Sequence, residues 1–405
     1  MKSLSVHSHP QIEDPDAVRL LSTLRTRVRN ELLPVQEIYN EEVGMLTDEQ
    51  AAIVPSFSSL DSGLYRHRHK MLPKLPTSRS EVDLRDYWVE TKNNKRFLAI
   101  NDGDDDKLLV FATDEMLVRM QEAETLFMDG TFYACLGLWD QLYSIHCLSG
   151  ATMVPVAFSL MPNRTRATYV RLFNQLSSVV EEKTGFDLSP EVVQTDFEIA
   201  AIQAIEEIFP DADTRGCLFH FNQCMLRKVQ GLGLMRLYRA DQGVQTLVRR
   251  AASLPLLPIS HVQDVWIDIM NERPDHLPHV TEFTDYVTAT WVDDDSLFKV
   301  TMWNQHGNIG PRTNNHLEGW HSKLNRSLTK AHPNIYEFIN KLKDVEEKTK
   351  RTLIQLDHGA APVPRKRVYR DIGTRLMRLK NQLQQGRKTP LEFLDAASHL
   401  LKLQL

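Results

Sequence analysis

The sequence predicts an α/β protein: a mixed sheet with helices, an all-helical insertion, and helical flanking segments. Three observations carry that expectation. Three apolar runs follow one another between residues 125 and 160, strands and helices then alternate to residue 218, and the stretch from Phe221 to about Asn308 keeps only helical periodicity.

The chain has 405 residues, 42% of them hydrophobic, which is enough for a large core and suggests two or three domains. No apolar run approaches the ~18 residues of a membrane span, and the first ten residues lack the apolar core of a secretory signal. Four cysteines, Cys135, Cys147, Cys217 and Cys224, are too few and too scattered for a disulfide framework and fit a reducing compartment.

In chain order, Asp16–Glu31 carries apolar residues at helical spacing, with Pro34 beyond it. The section from Pro55 to Ser80, rich in Ser, Pro and basic residues, reads as a linker. Arg96–Ile100 and Lys107–Ala112 read as a strand pair around a polar turn. Within that turn Asp102, Asp104 and Asp106 alternate as in a calcium loop, but Lys107 and Thr113 stand where glycine and glutamate are needed. Thr113–Glu124 is expected as a helix, followed by strands Thr125–Cys135, Gln141–Leu148 and Thr152–Leu160. Arg166–Thr184 is an amphipathic helix ended by Gly185. Strand Val192–Thr195, helix Glu198–Ile208 and strand Thr214–Leu218 come next. Three strands, helix, strand, helix, strand is a ribonuclease H-like order, and the alternation implies parallel pairing in its second half. Helices are then expected at Leu226–Tyr238, Gln242–Ala252, His261–Arg273, His279–Val292 and 332–358. The division is a helical and linker region at 1–80, a catalytic core at 81–220 and 311–358, an insertion at 221–310, and a basic helical tail at 359–405.

Chemistry concentrates in three acids. Asp129 ends the apolar run Leu126-Phe-Met-Asp-Gly-Thr-Phe132, and Asp196 ends Glu191-Val-Val-Gln-Thr-Asp-Phe197. Glu318 opens a helical stretch 122 residues after Asp196. A site for two Mg²⁺ (or Mn²⁺) ions needs such oxygen ligands, held so that the ions clamp the attacking and leaving oxygens of a phosphodiester. A strand-end aspartate is otherwise a turn former, and Glu318 could close a capping box with Asn315. His321 lies one turn beyond Glu318. Cys217 and His220 form a Cys-x-x-His word; with Cys224 it is half a zinc site at most. Trp266, Trp291, Trp303 and Trp320 lie in or near the insertion, where core packing competes with base stacking.

These words resemble the Mutator-like element (MULE) transposases. The resemblance runs in order through Phe127–Phe132, Gln141–Ile145, Val154–Pro162, Thr195–Glu198, Gly216–His220, Trp303-Asn304, Thr313–Asn315 and Glu318–His321, across roughly residues 95–345. It implies metal-dependent DNA cleavage and strand transfer, with Asp129, Asp196 and Glu318 as metal ligands and His220 close to the scissile DNA. It also implies an all-helical insertion before Glu318, DNA as partner (element ends and target duplex), a nuclear location, and no small-molecule or membrane partner; a homodimer is compatible with it. A DNA-binding or regulatory descendant without catalysis, or a plain metal-dependent nuclease, are the rival readings. No cysteine precedes Cys135, so the zinc module that animal members often carry ahead of the core has no counterpart in residues 1–120.

The net charge of −5 weighs mildly against nucleic-acid binding, but its distribution weighs the other way. Arg365–Lys388 holds nine Lys/Arg against Asp371 alone, and Tyr65-Arg-His-Arg-His-Lys70 is a second basic cluster. Either could equally be a solvated face.

Overall fold

The computed structural model describes residues 14–31, 33–70, 73–133, 135–308, 315–328, 332–361 and 367–401, without the side chains of Asn30, His69, Asn315, His316 and Glu318.

Four helices come first: α1 (Pro15–Asn30), α2 (Val35–Gly44), α3 (Asp48–Ile53) and α4 (Phe57–His69). Helices α1, α2 and α4 share a small core of Leu20, Leu24, Val28, Val35, Ile38 and Leu64. Helix α4 corrects the linker expected there. Phe57, Leu60 and Leu64 form an apolar face that the surrounding serines obscure. Arg68 fixes α4 to α1 by donating to the carbonyls of Glu31 (3.0 Å) and Leu33 (2.6 Å).

The sheet has seven strands: β1 (Leu98–Asp102), β2 (Leu108–Phe111), β3 (Thr125–Thr131), β4 (Gln141–Ser149), β5 (Thr152–Met161), β6 (Val192–Thr195) and β7 (Asp213–Gly216), in the order β1-β2-β5-β4-β3-β6-β7. Neighbours from β1 through β3 pair antiparallel, whereas β6 joins β3 and β7 joins β6 in parallel. Parallel pairing needs crossovers, which α6 (Arg166–Thr184) and α7 (Ile199–Ile208) supply; α5 (Asp114–Gln121) connects β2 to β3. Thr165 caps α6, and Gly185 ends it at φ +75°, a left-handed conformation that suits glycine. In the polar turn before β2, Arg171 pairs with Asp102 (3.2 Å) and Asp106 (2.5 Å). Strand β3 ends at Thr131, short of the Cys135 expected.

Alternation along β4 sets the two faces. Tyr143 packs against Tyr169 and Phe173 of α6, while Ser144 and His146 meet α14 (Asn315–Ser327) on the opposite side through His321 and Trp320. Helix α15 (Ile335–Asp357) completes that core with Phe338, Ile339 and Leu342.

Beyond β7 the chain is helical: α8 (Leu218–Gly231), α9 (Met235–Ala240), α10 (Gln242–Ser253), α11 (Val262–Asn271), α12 (Val280–Val287) and α13 (Val300–Trp303), with a π turn at Thr288–Val292. Helix α8 starts eight residues earlier than the periodicity suggested, which puts His220 in a helix. The insertion has its own core, and the two tail helices, α16 (Arg367–Gln384) and α17 (Pro390–Ser398), belong to it through Leu376, Phe393, Leu394 and Ala397. Arg250 of α10 clamps Asp395 of α17 at 2.6 and 3.0 Å. The base-stacking reading fails for Trp266, Trp291 and Trp303, which are at most 1% exposed in this core. Trp320 stacks on Phe158 at 5.5 Å.

Candidate active site

The parallel pairing of β3 with β6 runs Thr125↔Val192, Leu126↔Val193, Phe127↔Gln194. Asp129 and Asp196 each lie two residues past the last of these pairs, so they share one level at the carboxyl ends of adjacent strands. In an open parallel arrangement that is where a crevice forms. A cleft of about 620 Å³ opens there, lined by Asp129, Gly130 and Tyr133 from the end of β3, by Phe219, His220 and Gln223 from α8, and by α14 residues including His321 and Arg326.

Asp129 is 3% exposed and is flanked by two imidazoles. His321 Nδ1 lies 3.4 Å from its Oδ2, and His220 Nε2 lies 3.9 Å from its Oδ1. His321 Nε2 is 3.0 Å from the Ser144 hydroxyl, on the strand residue paired directly with Asp129. Asp196 Oδ1 accepts from the Glu198 backbone N–H at 3.1 Å, a local turn that starts α7. Burial and the neighbouring Asp129 charge raise the Asp196 carboxyl above the ordinary aspartate range, and His220 opposes the rise. Burial and then Asp196 raise Glu198 as well. Tyr143, buried beneath the pair, is held protonated by burial and by the Asp196 charge.

Two glycines in the same words have steric reasons. A Cβ at Gly130 would stand 2.5 Å from the amide oxygen of buried Gln141, whose nitrogen bonds Tyr169. A Cβ at Gly216 would stand 2.3 Å from the ring of Phe197, the residue after Asp196. That ring joins the aromatic cluster of the insertion, 4.8 Å from Trp291 and 5.1 Å from Phe298.

Cys217 caps α8, and its N–H bonds the Thr195 carbonyl at 2.9 Å. This ties the exit of β6 to the start of the helix that carries His220. Among the described residues no three His, Cys, Asp or Glu side chains gather as a metal site. Asp129 and Asp196 supply two carboxylates. Their burial and mutual repulsion fit a divalent cation with oxygen ligands, because a cation between them removes the repulsion. Glu318 lies in α14, one turn before His321; its side chain, and any capping by Asn315, fall outside the described residues. Sequence reasoning brought out Asp129, Asp196, His220 and His321. It missed Ser144, Tyr143 and Glu198 as members of the site, although Glu198 stood in the same word as Asp196.

Residues 125–224 match the family description "MULE transposase domain". That segment is similar to MULE transposase domains. It holds both aspartates and His220, while α14 with Glu318 and His321 lies beyond it. No curated protein matches the chain. Among solved structures three chains match. One, the Drosophila P element transposase strand transfer complex, is 12% identical over 95% of each chain with a TM-score of 0.24. Among the described residues no helix is long and apolar enough to cross a membrane.

Proposed function

We propose that the chain is a DDE-type DNA transposase of the Mutator-like class, which cleaves element ends and joins them to target DNA. The observation that carries this is the level placement of Asp129 and Asp196 on adjacent parallel strands inside the matched segment, with Asp129 lining the cleft. The strand order supports a ribonuclease H-like core: three antiparallel strands, with two more added in parallel to the first of them, β3.

Asp129 and Asp196 hold the metal, with Glu318 as the third ligand from α14. When bound, two Mg²⁺ (or Mn²⁺) ions supply Lewis-acid activation of the attacking oxygen and charge neutralisation at the leaving one. The remaining work belongs to the protein. His321, fixed by Ser144, orients the Asp129 carboxylate. His220, on the first turn of α8, meets the phosphodiester where the helix end also favours negative charge. DNA is the partner and the nucleus the location; the core, insertion and tail divide the work as catalytic body and helical buttress.

The test is cleavage of duplexes carrying candidate element ends in Mg²⁺. Wild type cleaves and Asp196→Asn does not. Equal cleavage by both, or none by wild type across the candidate ends, overturns the reading in favour of a non-catalytic DNA-binding protein.

A further inference from the structure

The tryptophans of the insertion are buried, yet two large aromatic rings are half exposed beside the strand that carries Asp129. Phe132 and Tyr133 follow the end of β3 immediately, and each is 50% exposed. Two consecutive half-exposed rings beside the cleft offer aromatic faces and edges to a ligand. Their backbone is held in place: the Phe132 carbonyl accepts from the Cys135 N–H at 3.2 Å, and the Tyr133 carbonyl accepts from the His332 N–H at 3.4 Å. Tyr133 lines the cleft with Asp129. The guanidinium of Arg164, exposed in the turn between β5 and α6, sits 4.9 Å from the centre of the Phe132 ring.

We propose that Phe132 and Tyr133 form a stacking platform for unpaired bases of a DNA strand next to the scissile phosphodiester, with Arg164 as its cationic side. Ring faces stack on any base, so the platform holds a strand without reading its sequence. Arg164 orients the Phe132 ring and places a positive charge where the phosphate of a stacked nucleotide runs. The rings come three and four residues after Asp129, so a strand seated on them enters the cleft beside the carboxylates. A duplex keeps its bases paired and offers no free faces, so the platform selects a strand that is already open or is opened on binding.

This inference rests on DNA being the substrate, but its test is independent of chemistry. The full chain is titrated in EDTA with a duplex bearing a short single-stranded overhang, with 2-aminopurine placed at each overhang position in turn. Wild type quenches the fluorescence at one or two positions. Phe132→Leu with Tyr133→Leu keeps the apolar bulk, loses the quenching, and binds the overhang at least tenfold more weakly while blunt-duplex affinity stays the same. Phe132→Trp and Tyr133→Phe keep the quenching. No quenching by wild type at any position, no binding by it, or equal quenching by the double leucine variant overturns the platform. Cleavage in Mg²⁺ without quenching removes the platform alone; quenching without cleavage removes the transposition chemistry and leaves the platform standing.

Discussion

His321 Nδ1 lies 3.4 Å from Asp129 Oδ2, although the two residues are 192 apart in the chain. The Ser144 hydroxyl, 3.0 Å from His321 Nε2 and 3.4 Å from the Asp129 carbonyl oxygen, holds the other side of the ring. Outer partners of a metal-binding carboxylate commonly govern metal affinity or activity by ~10–100-fold. His321→Asn is therefore expected to slow cleavage by roughly that factor and to raise the Mg²⁺ concentration needed, with DNA affinity unchanged. Ser144→Ala should act in the same direction more weakly. A Mg²⁺ dependence that His321→Asn leaves unmoved would reduce this histidine to packing.

The pair Asp129–Asp196 should bind metal before any DNA arrives. Calorimetric titration with Mn²⁺ is expected to give saturable heat that Asp129→Asn strongly reduces. The same substitution removes one charge, and with it the repulsion within the buried pair, so the metal-free variant should melt above wild type. Equal Mn²⁺ affinity in the variant would take Asp129 out of the ligand set.

Lys343 offers a pH test away from the site. It is fully buried, with Nζ 3.2 Å from the centre of the Tyr87 ring and bonded to the Tyr87 carbonyl. Burial pushes its pKa down to about 8. A lysine pKa lowered by folding means that the folded state holds fewer protons than the unfolded one between about pH 8 and the ordinary lysine value. The contribution of this residue to stability should thus rise with pH through that window and be least favourable below it. The melting temperature of wild type minus that of Lys343→Met should rise from pH 7.5 to 10. A difference that is flat or falling over that range would contradict the burial effect.

Gly216 and Phe197 form a second mechanical link. A methyl group at Gly216 cannot coexist with the Phe197 ring where it stands, so Gly216→Ala should destabilise by about 1–3 kcal/mol. Phe197→Leu in the same chain should recover part of that, measured as a double-mutant cycle in urea. Strict additivity would mean that the two residues do not press on one another.

What the sequence made legible follows from local physics. Helix α6 lies between the bounds its periodicity indicated, because Thr165 and Gly185 punctuate it. Strand β6 was equally clear as a short apolar run. The end of β3 was not: Phe132 and Tyr133 are apolar enough to continue a strand, and only the absence of a partner beyond Thr131 stops it. Helix α4 hid behind serines because its apolar face is narrow and is completed by α1 and α2. The level placement of the two aspartates was legible in kind, as two strand ends, but the Ser144–His321–Asp129 chain was not, since it joins residues from β4, α14 and β3 that no local pattern connects. The insertion tryptophans bear out core packing, the reading the sequence favoured over base stacking.

The last expectation concerns α16. Leu376, Leu379 and Leu383 face the insertion core, and Lys380 donates to the His306 carbonyl, so the basic tail is anchored rather than free. Arg370, Arg375 and Arg378 lie on its exposed side, and among the described residues none pairs with a carboxylate; Arg365 and Lys366 fall outside them. A fixed row of unpaired cations is suited to phosphates, each neutralised phosphate contributing about −0.9 to the slope of log affinity against log salt. Changing these three arginines to glutamine should weaken binding to any duplex alike and flatten that slope by about two to three units. A slope unchanged by the substitutions would make α16 a solvated face that keeps an acidic protein soluble. The phosphate contacts would then be sought where Arg25, Arg29, Arg66 and Lys70 surround His67, whose pKa burial and these four charges hold down.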